Sequence, residues 1–469
     1  MTTKSYDHLK NKWEIASTGK MLSYSFGFIL SLYLLLAYNS FIFYFYEVEV
    51  GLEVGLVSLA LILFTVWVMI SSPFLGYLTD KPYRWSKKIG FRAPWVIIAA
   101  IPTLLFYLLL YTPPNINAKL NPWPIFWYLL IISCLFGSFI MIFQEHFQGG
   151  FANQFREDFE RRRASAFAFI FPGITLFFLS IIPLFIIKYG QKSTFVLTAI
   201  ISILVLAICV IILIPGIHES PEVKERYFQG YKDESRISFL KMMKHAFERR
   251  NFMVALIAIT LVNVAIALNM ASGIYFFKDV LGVPIFFSIF STIVYFIFVM
   301  VSVPFWVIFA RKYGNVTTFI VGIFLSGAAY IPYLWLTTWQ EATFYSAFRG
   351  IASSCYTVMV LPITSDCYDE VTNACERHQE ATLFGIRVIF LRIAVILQAL
   401  IIGGIHILTG YTQDLNAVQT SLAVWGVRVH QALIPMIFCF VAGVIMLIGY
   451  DLKGEKLYTL KANLRDKGL

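Results

Sequence analysis

The sequence predicts an all-α polytopic membrane protein with twelve transmembrane helices arranged as two six-helix bundles. Of the 469 residues, 59% are hydrophobic, and the mean hydropathy is +0.74. A soluble domain does not need that much apolar surface. Twelve apolar runs of about 20–28 residues are each long enough to cross ~30 Å of hydrocarbon. The longest polar interruption divides them six and six.

The predicted spans follow one another with short loops between them. They lie near residues 22–46, 52–78, 94–112, 124–150, 164–187, 194–215, 252–277, 284–309, 316–337, 342–365, 381–408 and 431–450. We therefore expect a cytosolic N-terminus (1–21), an N-terminal bundle (22–215), a cytosolic linker (216–251), a C-terminal bundle (252–450) and a cytosolic tail (451–469).

The positive charges are unevenly distributed over the loops. The formal net charge of +10 comes mainly from Lys and Arg in short loops on one side of the predicted membrane. This positive-inside pattern predicts that both termini lie in the cytosol, and we expect a plasma or inner cell membrane. We expect a monomer whose partners are the lipid bilayer and a small-molecule substrate, and no nucleic acid.

The sequence offers no grouping of residues typical of an enzyme. Its six cysteines are scattered, without a CxxC motif or metal-ligand spacing. No Ser/His/Asp set converges, and no phosphate-binding loop of the GxxxxGK[ST] kind is present. We therefore expect neither an enzyme nor an ATP-driven pump, and no metal or cofactor.

Three polar motifs interrupt or flank the apolar runs. The first is Gly76-Tyr-Leu-Thr-Asp80 followed by Arg84, Gly90 and Arg92-Ala-Pro-Trp95. The others are Asp366, Asp369-Glu370, Arg377, Glu380 and Gly385, and Gly137, Gln144-Glu145-His146 and Glu160-Arg161. Together they resemble the glycoside–pentoside–hexuronide:cation symporters of the major facilitator superfamily, to which melibiose permease belongs. The resemblance covers nearly the whole chain.

The resemblance implies the major facilitator fold, in which two bundles rock around a substrate near the bilayer midplane. It also implies that Arg392 occupies the position of a helix 11 lysine that faces the family's central cavity. A sugar or glycoside is the expected cargo. The charged residues expected to form a cytosolic gate are Asp80, Arg84, Arg161, Asp366, Asp369, Arg377 and Glu380.

The family's cation and sugar sites are not kept in this sequence. The two helix 2 carboxylates before Pro73 are replaced by Val68 and Ser72, so a hard cation finds no negatively charged ligand there. We therefore expect H⁺ rather than Na⁺ as any coupling ion. The family's two sugar-anchoring carboxylates, its arginine and its tryptophan correspond to Leu32, Gln144, Phe169 and Gln148.

Two charged residues lie deep in apolar runs. A lone glutamate in a membrane is either paired with a cation or protonated. We predict that Glu145 and Arg392 form a charge pair or a proton-sensitive switch across the central cavity; a static structural pair or a helix-end polar group is the alternative. The other candidate cavity residues are Gln144, His146, Gln148, Tyr38, Asn39, Trp67, Ser72, Arg349 and Asn269.

Several of these candidates have a second interpretation. Arg349 suits an anionic substrate, an external gate or an interfacial anchor, and the polar residues also suit hydrogen bonds between helices. The sequence predicts a secondary active symporter for a small organic solute, sugar-like by family. An amphipathic lysolipid-like or organic-anion cargo is the alternative within transport. A non-transporting membrane sensor or scaffold is the alternative of another class.

Overall fold

The computed structural model describes residues 16–79, 90–155, 158–221, 224, 244–375, 380–414 and 418–466, and these residues are almost entirely helical. In chain order the α-helices are α1 (Thr18–Tyr44), α2 (Val54–Thr79), α3 (Ala93–Leu110), α4 (Pro122–Gln154), α5 (Asp158–Ile186), α6 (Lys192–Ile217), α7 (Arg250–Tyr275), α8 (Ser288–Tyr313), α9 (Asn315–Tyr330), α10 (Trp339–Cys375), α11 (Glu380–Thr409), α12 (Ser421–Arg428), α13 (Ile434–Gly449) and α14 (Glu455–Asp466). Short π turns follow α1, α7 and α12 (Phe45–Glu49, Phe276–Val280 and Val429–Leu433), and 3-10 turns cover Ile285–Phe287 and Ile331–Leu334.

Helix length and composition confirm the prediction of a helical membrane protein. Within the described ranges, ten helical segments are long and apolar enough to cross a membrane. The fifth and tenth predicted spans correspond to α5 and α10, which pack along their neighbours but carry more polar residues. Since α5 begins with the charged stretch Asp158–Arg163, its apolar part is confined to Ile170–Ile186.

Two helices extend beyond the predicted apolar runs. Helix α10 continues to Cys375 instead of ending near residue 365, so the acidic stretch forms its last turns. The last span begins at Ser421 rather than 431, because the Thr420 side chain caps α12 by accepting the Ala423 N–H. Arg428 is accommodated there because its guanidinium donates to the carbonyl groups of Tyr333 and Leu334.

The helices pack mainly against others of the same half of the chain. Helix α1 packs against α5 and α6, and α4 against α2 and α3. Helix α10 packs against α8 and α9, and α13 against α7 and α9. The two halves meet along α1–α7, α2–α11 and α5–α8. The exact bundle and linker boundaries stay a prediction, and most of the linker lies outside the described residues.

The two ends of the helix assembly are distinguished here by the course of the chain. The proximal end is the one where α1 begins and α13 ends, and the distal end is the one where α1 ends and α2 begins. The chain crosses between them with every spanning helix. The distal loops therefore include 111–121 and 410–420, of which 415–417 lie outside the described residues.

Helices α1 and α7 end in the same way, as expected of a repeated structural unit. The N–H groups of Val50 and Leu281 donate to the carbonyls five residues earlier, at 2.9 and 3.0 Å, which closes a π turn in each helix. The next residue, Gly51 in one half and Gly282 in the other, has a φ of 81° or 65°. Glycine adopts this left-handed conformation without strain, so the chain can turn sharply at the distal end in both halves.

Candidate functional site

A cavity of about 420 Å³ lies between the two halves. Helices α1 and α5 form its wall on one side, and α7, α8, α9 and α10 form most of the other. The wall is largely aliphatic and aromatic, with hydroxyl groups from α8 and α10. This volume is within the range of roughly 300–1,000 Å³ that is typical of small-molecule sites.

Arg349 of α10 is the cationic residue of the cavity wall. Its guanidinium carbon lies 5.2 Å from the ring centroid of Tyr333, 5.5 Å from that of Tyr330 and 5.8 Å from that of Tyr295. One of its amino groups donates to Asn269 Oδ1 of α7. Tyrosine rings attract a nearby cation through their negative faces. The three rings and the amide therefore fix the guanidinium at the cavity wall.

The cluster around Arg349 holds more hydrogen-bond donors than acceptors. Within the described part of the chain, Arg349 forms no ion pair with a carboxylate. The Asn269 side-chain Nδ2 is buried and donates to no acceptor there. Guanidinium groups bind carboxylate and phosphate oxygens through parallel charge-assisted hydrogen bonds. The site is thus suited to the anionic group of a ligand.

Glu145 lies on α4 and contacts α2. The Ser72 hydroxyl donates to Glu145 Oε1, so the structure joins two of the predicted site residues. The Ser72–Glu145 contact stays within the first six helices. Ser72 is one of the two helix 2 positions at which the resemblance expects a carboxylate.

Arg392 does not form the predicted ion pair with Glu145 in this structure. Its Nη2 atom contacts Met141 Sδ at 3.3 Å, and Met141 precedes Glu145 on α4 by one helical turn. Arg392 thus crosses between the halves, as expected, but meets α4 nearer the distal end. The structure therefore places the Arg392 guanidinium beside Met141 instead of Glu145. A role of either residue in transport stays a prediction.

Most of the remaining polar candidates connect helices within the first half. Gln144 Nε2 donates to the Ser31 carbonyl at 3.1 Å, the Tyr38 hydroxyl to Ser133 Oγ at 3.1 Å and Trp67 Nε1 to Ser138 Oγ at 2.9 Å. His146 is buried and stacks on Trp95, with 5.8 Å between ring centroids.

The positions of the candidates divide them into two groups. Gln148 is exposed and Asn39 half-buried, and neither borders the cavity. Of the eleven predicted cavity residues, Arg349 and Asn269 line this cavity. The other nine do not line it, and the contacts described for six of them are with residues of α1, α3 or α4.

The predicted cytosolic gate is only partly described. Asp80, Arg84 and Arg377 lie outside the described residues, as do the side chains of Arg161 and Glu380. Asp366 is 5% exposed and pairs with Lys461 of α14 at 3.2 Å, and Asp369 is half-buried. The contact seen at Asp366 therefore joins α10 to the C-terminal helix, and the gate itself stays a prediction.

Sequence reasoning missed the tyrosines around Arg349. Tyr295, Tyr330 and Tyr333 come from two different apolar runs, where an aromatic residue is also typical of a lipid-facing surface. Their hydroxyl groups were the available signal, since a buried tyrosine usually finds a polar partner.

The comparison with known families agrees with this architecture. A family model described as "MFS/sugar transport protein" matches residues 17–454. The chain belongs to this family. This match confirms the predicted major facilitator fold and a transport family rather than an enzyme family. Together with the apolar helices, it also confirms that the protein is an integral membrane protein.

One curated relative of this MFS/sugar transport protein is the sodium-dependent lysophosphatidylcholine symporter 1-A of Danio rerio. The two are 23% identical over 304 residues, which are 57% of this chain and 54% of the relative. The chain thus matches about half the length of that protein.

Solved structures share the fold at low sequence identity. An inward-open structure of the xylose transporter XylE from E. coli has a TM-score of 0.61 and 13% identity, covering 94% of this chain and 98% of that one. A D-xylose-proton symporter has 0.62 and 14%, covering 92% and 98%. A mutant of the nucleoside transporter NupG has a TM-score of 0.59 and 14% identity, covering 92% of this chain and 100% of that one.

Proposed function

We propose that the protein is a secondary active transporter that moves a small organic solute with an anionic group by alternating access. The observation that carries this proposal is Arg349, held at the wall of the cavity between the halves without a carboxylate partner among the described residues. Alternating access needs a site that both halves border, and this cavity has walls from both.

The chemistry of the cavity favours an amphipathic or organic anion over a plain sugar. A sugar site needs several polar groups that fix hydroxyls, since buried polar groups have to be paired. Here the described wall is mainly aliphatic and aromatic. It also carries hydroxyl groups, but its strongest polar group is the Arg349 guanidinium, which suits an anion better than a neutral sugar. The relative from Danio rerio is named a lysophosphatidylcholine symporter, which supports a cargo with an apolar part and a charged head. The family description supports a sugar, which the experiment below tests.

We further propose H⁺ as the coupling ion, without another cofactor. Val68 and Ser72 supply no carboxylate for a hard cation such as Na⁺. The relative is named as sodium-dependent, so Na⁺ is the alternative that the experiment has to distinguish.

The proposed orientation places the proximal end in the cytosol of a plasma or inner cell membrane. The Lys and Arg residues of the proximal loops and tail support it. We propose a monomer in the bilayer that does not bind nucleic acid. The Asp366–Lys461 ion pair, together with the predicted gate residues, would then lie on the cytosolic side.

The experiment is solute counterflow in proteoliposomes, run with organic anions, lysolipids and sugars at two pH values, with and without Na⁺. We expect exchange of an anionic solute, and a drop of about 10- to 100-fold in apparent affinity with Arg349→Gln, because a hydrogen bond to a charged group contributes about 1.5–3 kcal/mol. Arg311→Gln is the matched control, since it removes an exposed cation at the end of α8.

Three results would contradict parts of the proposal. Sugar exchange that is unaffected by Arg349→Gln would identify a sugar carrier with another site. Dependence of exchange on Na⁺ would exclude coupling to H⁺ alone. The absence of exchange with every solute class would favour a membrane sensor.

A further inference from the structure

A chain of buried polar side chains joins the two halves at the distal end. His406 Nδ1 lies 2.7 Å from Glu47 Oε1, and His406 Nε2 lies 3.2 Å from His430 Nε2. His430 Nδ1 lies 2.6 Å from Ser272 Oγ, and the Tyr275 hydroxyl donates to Glu47 Oε2. These five residues are called the distal cluster below.

The distal cluster is fully enclosed. Glu47 and His430 are 0% exposed and His406 is 1% exposed. The Tyr411 ring stacks on the His406 ring at 4.1 Å between centroids and covers it from the loop after α11. Ionisable groups that are buried inside a membrane protein are energetically costly and commonly mark proton or ion pathways.

Local backbone geometry points to the same place. Glu47 lies in the π turn after α1, His430 lies in the π turn after α12, and Tyr275 directly precedes the π turn after α7. These are all the π turns within the described ranges. Single π turns in α-helices are rare and often occur at functional sites. Glu47 and His430 lie within two of these turns, and Tyr275 lies directly before the third. The three turns therefore position three of the five residues of the distal cluster.

The cluster can hold either of two proton counts without losing a hydrogen bond. With fewer protons, Ser272 donates to His430 Nδ1, His430 Nε2–H donates to His406 Nε2, and His406 Nδ1–H donates to the Glu47 carboxylate. With one more proton, both nitrogens of His406 donate, His430 Nδ1–H donates to Ser272 Oγ, and the Ser272 hydroxyl turns to the His430 carbonyl 3.5 Å away. The first arrangement carries a net charge of −1 and the second is neutral.

Other ionisable groups surround the cluster from each element packed on it. In the π turn after α7, Lys278 and Asp279 pair at 3.0 Å, and Asp279 also accepts from the Tyr411 hydroxyl at 2.7 Å. From the end of α1, Glu49 accepts the Gly190 N–H at 2.9 Å and interacts electrostatically with Lys278 and Lys192. The Tyr44 ring lies 5.1 Å from that of Tyr275. The Lys278–Asp279 pair is neutral as a unit, so it does not replace the proton that balances Glu47.

We propose that the distal cluster is a proton-binding site that holds the distal ends of the two halves together, and that proton binding there favours closure of the distal end. This proposal rests on the proposed function, because it assigns the coupling proton of that transporter to a site. Glu47 belongs to the first half, whereas Ser272, Tyr275, His406 and His430 belong to the second. Opening of the distal end would separate Glu47 from His406 and expose both to water.

The direction of the coupling follows from the charge count. In the closed state a buried carboxylate without a counter-charge is unfavourable, and one added proton removes the imbalance. In the open state water solvates Glu47 and His406 separately, so the proton binds less tightly. A ligand that binds one state more tightly shifts the population towards that state. Acidification therefore favours the closed distal end, by up to about tenfold in the closed-to-open ratio per pH unit for one proton.

The test measures the distance between labels across the distal end, in the full-length protein in lipid nanodiscs. Leu120→Cys and Val418→Cys place the labels in distal loops of opposite halves, at side chains that are 83% and 94% exposed. We expect the short label separation to gain population as the pH falls from roughly 8 to 5, the range in which histidine titrates. The measurement needs no solute.

Two variants distinguish proton binding from a structural role. Glu47→Gln needs no proton for neutrality, so we expect the short separation at every pH. His406→Gln leaves the Glu47 carboxylate to take up the proton itself, so we expect closure to move to lower pH. A merely structural cluster would open in both variants. The control is Glu53→Gln, which neutralises an exposed carboxylate beyond Gly51 and should behave like the parent.

The outcomes separate this proposal from the transport proposal. A label separation that does not change with pH in the parent would refute the proton site, even where counterflow succeeds. Opening of both variants at all pH values would refute it as well. Separation that depends on pH as described, together with no counterflow of any solute, would support the site and reject the transporter.

Discussion

Glu47 and Glu145 are two acidic residues of the same helical assembly, and their described contacts differ in whether they cross the interface between the two halves. The contact of Glu145 with Ser72 joins α4 to α2, within the first half. The contacts of Glu47 with His406 and Tyr275 join α1 to α11 and α7, across the interface between the halves. A carboxylate whose contacts cross this interface changes its surroundings when the halves move.

The comparison shows that depth within an apolar run is a poor guide to which carboxylate senses that movement. Glu145 lies well inside its run, and this position made it the sequence-based candidate. Glu47 lies at the end of its run, where glutamates are typical of a loop, but the π turn buries it completely. The following predictions test this difference, from the largest expected effect to the smallest.

Removal of the Glu47 carboxylate should have the largest effect on stability. Glu47→Ala leaves His406 and Tyr275 buried without their shared acceptor, and loss of one partner of a buried ion pair costs about 3–5 kcal/mol. We expect a clearly lower midpoint of thermal unfolding in detergent. Glu53→Ala, at an exposed site directly before α2, should change the free energy of unfolding by less than about 0.5 kcal/mol. Equal effects of the two variants would show that the cluster does not stabilise the distal end.

The pH dependence of transport should separate the two glutamates. With a solute found by counterflow, Glu47→Gln should flatten the pH profile of uptake, which one proton changes by up to about tenfold per pH unit. We expect Glu145→Gln to keep the profile, because the contact described for Glu145, with Ser72, lies within the first half. A profile lost only in Glu145→Gln would move the coupling site to α4 and restore the sequence-based hypothesis.

A smaller effect is expected at the edge of the distal cluster. Tyr411→Phe keeps the ring that stacks on His406 but removes the hydroxyl that donates to Asp279. A typical hydrogen bond contributes about 0.5–1.5 kcal/mol, so unfolding should become easier by about that amount. The pH profile of distal closure should stay that of the parent. A lost profile would mean that Asp279 belongs to the titrating group.

The smallest effect is expected at an exposed ion pair outside the membrane-spanning helices. Lys456 lies 2.5 Å from Asp451 and, with Asn251, lowers the pKa of the Asp451 carboxyl below its usual value. A carboxyl with a lowered pKa in the folded state stabilises the fold above its unfolded pKa, and this contribution is lost as the pH falls through the folded value. Because water screens the pair, Asp451→Asn should cost less than about 0.5 kcal/mol at neutral pH. A larger loss in thermal unfolding would contradict this screening.

The candidate site was predictable in part. The sequence identified Arg349 and Asn269 as polar groups inside apolar runs, and both line the cavity. It also named Ser72 and Glu145 as candidates, but their contact with each other was not predicted. The tyrosines around Arg349 and the histidines around Glu47 were not identified, because the contacts that give them meaning depend on how the helices are arranged.

The sequence by itself determined the number and order of the spanning helices and the family of the protein. Each of these depends on local properties, namely the length of an apolar run, the charge of the adjoining loop and short motifs, which persist whatever the neighbouring helices do. Only the tertiary structure decided that Arg392 meets Met141 and that Glu47 meets His406. These partners are 251 and 359 residues apart in the chain. Their contact depends on the rotation and depth of packed helices, which a pattern of hydrophobic residues does not specify.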